Sequence, residues 1–321
     1  MGNIFFDAFV EMFYAIAKIL LVALTAAILI RKDFFKEQYI KGLSELVVVV
    51  LLPAMIFDNI TTSFKPQSNE YWWILPLLGF FTPIVSLLFI IPMYLPKIKE
   101  NINKIPFATF QNGGYLVLPI GQLLYKDQFS QFALYVFLYV IGLNLSLWTV
   151  GKVLITKQDV DKKVSIYNFI TPPFVANIVS LTIVFLKINE FIPKIISDPI
   201  NMLGSATVPI ATFVLGATIG SIKIDKMPKF TDIAKTLSVK YVIIPAITMI
   251  ILFKTNLYTT NALFSDFLVI EASAAPAANL ILMVKKYGGN SQQAGSFMLI
   301  AYLSAILFMP LALGIWKMIT L

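Results

Sequence analysis

Cysteine and histidine are both absent from the 321 residues, and this closes several routes at once. Without them there is no disulfide, no thiolate nucleophile, no zinc site of the usual ligands and no imidazole proton relay. Any proton that this chain handles must move on carboxylates or water. Charge is scarce as well, at 13% of residues against 58% hydrophobic, with a mean hydropathy of +0.83. Such a chain cannot present a soluble surface, so its class is an all-α integral membrane protein.

A bilayer core of about 30 Å takes roughly 20 apolar residues per helix. On that measure the sequence offers ten stretches, at about 8–30, 41–60, 71–95, 105–125, 130–152, 165–187, 199–221, 233–253, 262–285 and 293–316. They nearly exhaust the length and leave no room for a soluble domain. The N-terminal run has no basic leading region and carries Glu11 and Lys18 inside it, so it is expected to be a retained span and not a cleaved signal. Phe6 stands where myristoylation would need Ser or Thr.

The net charge of +8 is a topology signal. Arg31, Lys32, Lys36 and Lys41 flank the first connection, Lys97, Lys99 and Lys104 the third, and Lys152, Lys157, Lys162 and Lys163 the fifth. Lys223, Lys226, Lys229 and Lys235 flank the seventh, and Lys285 and Lys286 the ninth. The opposite side carries only Lys65, Lys126, Lys187, Lys194, Lys254 and Lys317. Basic loops stay cytoplasmic, so the odd-numbered connections face inward and both termini face outward, in a multi-pass protein expected in the plasma membrane. Nucleic acid is excluded as a partner on the same grounds.

Proline punctuates the spans in pairs. Pro53 and Pro209 lie 156 residues apart, and Pro119 and Pro276 lie 157 apart. A proline inside a spanning helix removes a hydrogen bond and kinks or breaks it. The spacing predicts two repeats, 1–158 and 164–321, joined by a charged connector at 159–163. Five spans per half make the second repeat inverted, with helices 4 and 9 broken. That arrangement points to a secondary transporter whose substrate binds at the breaks.

The segments around these prolines carry a family resemblance. LPAMIF (52–57), NGGYLVLP (112–119), VPIATFVLGA (208–217) and SAAPAAN with KKYGGN (273–279, 285–290) resemble the auxin efflux carrier family. That family includes bacterial organic-acid permeases and plant PIN proteins and is related in fold to bile-acid sodium symporters. The short connector is similar to that of bacterial members, not to the long hydrophilic loop of many plant ones. The resemblance implies a scaffold of spans 1, 2, 6 and 7 and a transport domain of spans 3–5 and 8–10, moving like an elevator. It implies that spans 4 and 9 cross near the midplane beside the substrate. A homodimer follows from the analogy alone.

The candidate residues gather there. Asn112, Gly113 and Gly114 precede Pro119; Pro276 and Asn279 match them in the ninth span. Glycine and alanine allow close backbone approach, and a half-helix N-terminus attracts a carboxylate. Glu271 lies about 13 Å deep at 1.5 Å per residue. An acid at that depth must be paired, protonated or bound to a cation. Glu271 and Ser273 are therefore the expected site for a coupling Na⁺ or H⁺, with no other cofactor required. Lys18, also mid-span, is expected to pair with Glu271 or the substrate, and Lys240 to snorkel to the inner loop. The expected activity is transport of a small organic anion, a mono- or dicarboxylate such as malate. An auxin-like aromatic carboxylate uniporter and a non-transporting sensor on the same fold are the alternatives. Nothing in the sequence supplies a catalytic set.

Overall fold

A computed structural model describes residues 2–67, 71–95, 97–155, 170–222, 227–286 and 291–321. The expected connector at 159–163, Lys157, Lys223, Lys226 and the Gly288–Gly289 pair lie outside the described residues. Among the described residues the protein is helical, with no strand beyond one isolated bridge. The helices are α1 (Gly2–Arg31), α2 (Gln38–Ser63), α3 (Ile74–Met93), α4 (Ile105–Thr109), α5 (Gly113–Leu124) and α6 (Lys126–Leu154). After the connector come α7 (Pro172–Phe185), α8 (Lys194–Gly220), α9 (Phe230–Lys254), α10 (Ala262–Ala272), α11 (Asn279–Lys286) and α12 (Gln293–Thr320). Seven of them, α1, α2, α3, α6, α8, α9 and α12, are long and apolar enough to cross a membrane.

Three prolines are absorbed by a local widening of the helix. π-turns at Val47–Leu51, Gly113–Val117 and Val239–Ile243 each end two residues before Pro53, Pro119 and Pro245. The wider turn makes room for the proline ring and reroutes the hydrogen bond it cannot donate. Pro209 is handled differently. Here α8 turns at Ala206 and restarts at Thr207, so the ring sits in a first turn that needs no donor. The Thr207 hydroxyl donates to the Leu51 carbonyl at 2.8 Å and ties these two proline sites together.

Packing follows the small residues. α1 lies on α8, where Gly216 and Gly220 sit against the backbone of Ala23 and Ala27. α2 packs against α7 and α8, and Gly204 touches the Met55 backbone. α3 and α6 meet backbone to backbone through Gly79 and Gly142. Without a hydrophobic drive between helices in lipid, such close approach is what holds them. α10 is buried on every side from Leu263 to Ala272, and α6 from Phe132 to Tyr139, which makes this pair the centre of the molecule.

Candidate functional site

Two helices fail to continue at the same place. α4 ends at Thr109 and α5 begins at Gly113; α10 ends at Ala272 and α11 begins at Asn279. The two extended segments between them run antiparallel and pair through their backbones. The Asn112 amide donates to the Ala275 carbonyl at 2.8 Å, and the Ala277 amide donates to the Phe110 carbonyl at 3.0 Å. Gln111 thus faces Pro276 in the isolated bridge. Four alanines at 274, 275, 277 and 278, flanking Pro276, make this possible, because larger side chains would keep the segments apart. The freed backbone groups satisfy one another, as an apolar interior demands.

Side chains lock the crossing. Asn112 caps α5, its side-chain oxygen accepting from the Tyr115 amide at 3.1 Å, while its amide donates to the Tyr302 hydroxyl at 2.5 Å. That hydroxyl donates onward to the Pro276 carbonyl at 3.0 Å. A single tyrosine of α12 therefore holds both broken segments.

On one side the crossing floors a cavity of about 380 Å³. Gln111, Asn112, Gly113, Gly114 and Asn279 reach it, with Asn144, Asn177, Phe137, Trp148 and Phe174 from the surrounding helices. Among the described residues, no Asp, Glu, Lys or Arg lines it. Both half-helix N-termini, at Gly113 and Asn279, open onto this space.

The sequence-derived candidates divide accordingly. Asn112, Gly113, Gly114 and Asn279 come together at the cavity. Pro276 is in the second break, but Pro119 is seven residues past the first break, buried inside α5. The 157-residue spacing had matched unlike positions, since the backbone pairs Pro276 with Gln111. Glu271 is buried behind the crossing, its carboxylate resting on Gly113 and both oxygens without a hydrogen-bond partner. Ser273 is buried too, and its hydroxyl donates to the Val269 and Ile270 carbonyls of its own helix.

Lys18 does not meet Glu271. The buried stripe of α1 runs through Met12, Ile16, Ile19, Ala23 and Ala26, and Lys18 is exposed on another face. A different lysine, Lys240, is the one buried at this level, only 1% exposed. It does not snorkel: its ammonium donates inward to the Phe110 carbonyl at 3.3 Å. Sequence depth alone misplaced both lysines, although the helical period of α1 already separates Lys18 from its inward stripe.

A family model described as membrane transport protein matches residues 11–165 and 157–313. The chain belongs to that family, which is of the auxin efflux carrier type. It is 24% identical to the uncharacterized transporter MJ1031 of Methanocaldococcus jannaschii over 78% of this chain and 80% of that protein. PIN-LIKES 3 of Arabidopsis thaliana is 23% identical over 49% of this chain and 42% of its own length. PIN-LIKES 4 from the same plant is 24% identical over 45% and 38%. The crossing residues 110–113 and 274–278 both fall within the stretches that the family model matches.

Proposed function

We propose that this chain is a secondary transporter of a small organic anion, working by alternating access. The observation that carries the reading is the backbone-paired crossing of two half-helices beneath a cavity of about 380 Å³. Interrupted helices with their N-termini at an internal cavity bring partial positive charge to an anion without burying a full charge there. Ten spans in two inverted halves, 1–158 and 164–321, fit the way the α1–α8 contact is echoed by the α2–α7 contact. Those four helices are the natural scaffold, and the crossing with α3, α6, α9 and α12 is the body that moves. The cavity extends to Trp148 and Thr171, near the ends of α6 and α7 that flank the connector. Access in this conformation is therefore from the connector's side, which the basic loops make cytoplasmic in a plasma-membrane protein.

The lining also narrows the substrate. A dicarboxylate such as malate brings two charges, and among the described residues the cavity offers amides and two helix ends but no cationic side chain. Phe137, Phe174 and Trp148 offer apolar area instead. A monocarboxylate with an apolar body fits this better. Uptake into proteoliposomes of radiolabelled phenylacetate and malate, with Na⁺, pH and voltage gradients imposed one at a time, tests the proposal. Saturable phenylacetate uptake, lost in Asn112→Ala, is expected. Malate uptake alone would overturn the substrate class, and binding without flux of either would favour the sensor reading.

A further inference from the structure

The cavity at the crossing has two unlike ends. At the crossing itself, the N-termini of α5 and α11 present backbone N–H groups. Another wall is the first turn of α7, whose Thr171, Pro173, Phe174 and Asn177 reach the same space. This helix also begins at the cavity, yet it has no backbone amide to offer. Pro172 and Pro173 have no N–H. The Phe174 amide donates to the Thr171 hydroxyl at 3.4 Å, and the Val175 amide donates to the Thr171 carbonyl at 2.9 Å. The donors that draw an anion to a helix start are removed or engaged here. A carboxylate therefore belongs at the crossing and not at α7.

What α7 offers instead is an acceptor. Asn177 is 3% exposed, and its amide nitrogen donates to the Pro173 carbonyl at 2.9 Å. That bond fixes the head of the side chain, because the oxygen cannot face a carbonyl. Oδ1 is left buried, and among the described residues no group donates to it. Gln111 Oε1, in the crossing, is a second such oxygen on a residue that lines the cavity. Phe137, Phe174 and Trp148 make the surroundings apolar, and there a buried acceptor without a donor is costly. A bound molecule removes that cost only by bringing an N–H or O–H, which an ionised carboxylate lacks.

We infer that Asn177 is a specificity-determining residue: the substrate is a monocarboxylate that carries a neutral hydrogen-bond donor, a hydroxyl or N–H, at the end of its apolar body opposite the carboxylate. The inference rests on the organic-anion reading of this cavity and adds the group that α7 selects.

The experiment is isothermal titration calorimetry on the purified full chain in detergent, with phenylacetate, para-fluorophenylacetate and para-hydroxyphenylacetate. The three share a carboxylate and a ring, and fluorine and hydroxyl are close in size, but only the hydroxyl donates. The hydroxy compound is expected to bind about tenfold more tightly than the other two, the order that one buried hydrogen bond allows. In Asn177→Leu that preference should vanish. A preference that survives in Asn177→Leu but is lost in Gln111→Leu would place the acceptor in the crossing and overturn the role of Asn177. A hydroxyl that brings no gain in the wild type overturns the inference and leaves the organic-anion reading standing. If none of the three binds, the monocarboxylate reading fails and the inference falls with it. Binding with this preference but without uptake into proteoliposomes would remove the carrier and keep the site. Should Asn177→Leu not fold, the wild-type comparison of the fluoro and hydroxy compounds decides.

Discussion

The carboxylate of Glu271 lies against the α-carbon of Gly113. A Cβ built on that glycine would stand 2.9 Å from Oε1, 3.1 Å from Oε2 and 2.9 Å from a methyl of Val140. Gly114, its neighbour, has nothing within 4 Å. Adjacent glycines in one motif thus have different duties: the first admits Glu271, and the second faces open space. Gly113→Ala is expected to cost about 1–3 kcal/mol through overpacking. Gly114→Ala is expected to stay within about 0.5 kcal/mol of the wild type, as an uncrowded substitution does. Melting curves of the two variants in one detergent check the contrast, and equal losses would contradict it.

Tyr302 carries the next prediction. Its hydroxyl accepts from Asn112 and donates to Pro276, so it joins the first break to the second. Tyr302→Phe keeps the ring and removes both bonds, leaving a buried amide donor and a buried carbonyl unsatisfied. About 1–3 kcal/mol per orphaned group is the expected order of loss. Transport should fall further than stability, because the spacing of the two half-helices at the cavity is set by this bond. Comparing initial uptake rate with melting midpoint separates the two effects. Unchanged uptake would show that the backbone bridge alone fixes the crossing.

The crossing was legible in the sequence because its ingredients are unusual in an apolar helix: paired glycines, an alanine run around a proline, two asparagines and a deep acid. Which proline marks a break was not legible. Pro119 and Pro276 look alike in sequence, but a π-turn absorbs the first and only the second lies in extended backbone. Depth along the chain also failed for the lysines. Lys18 is mid-helix on an exposed face, and Lys240 near a helix start is buried in a turn packed by α3, α4 and α12, which no local pattern reveals. Period carries information about face, and face is what local sequence resolves; the partner across a tertiary contact is not local.

Beyond the crossing, Lys104 and Asp232 make a nearly buried ion pair at 2.6 Å between the start of α4 and the first turn of α9. Lys104 also donates to Asn101 at 2.6 Å. Beside the pair, the Lys235 ammonium sits 4.7 Å over the Tyr94 ring, and burial pushes the Tyr94 hydroxyl up to about 12. The phenol therefore stays neutral through physiological pH and leaves Asp232 to Lys104. Lys104→Met should cost about 3–5 kcal/mol, since it strands a buried carboxylate. Lys104→Met with Asp232→Leu should cost much less than the single change. A double-mutant cycle by chemical or thermal unfolding measures this, and strictly additive losses would show that the pair is not coupled.

The scaffold offers the sharpest steric test. A Cβ at Gly216 would fall 2.2 Å from both the α-carbon and the carbonyl oxygen of Ala23, and one at Gly220 would fall 2.5 Å from the α-carbon of Ala27. These obstacles are backbone, so no rotamer change relieves them; α1 and α8 must move apart. Arg31 reinforces the contact, donating to the Gly220 carbonyl at 3.3 Å. Gly216→Ala should therefore destabilise by more than the ~1–3 kcal/mol typical of overpacking against movable side chains. Gly42→Ala, where nothing lies within 4 Å, is the matched control. Because α1 and α8 belong to the proposed static body, separating them should lower the folded yield and melting midpoint together. Protein that survives should keep its substrate affinity, since neither helix lines the cavity. Fluorescence-detected size exclusion after heating reads the first effect, and ligand binding by the surviving fraction reads the second. A Gly216→Ala protein with normal stability and altered affinity would reverse the assignment of α1 and α8 to the scaffold.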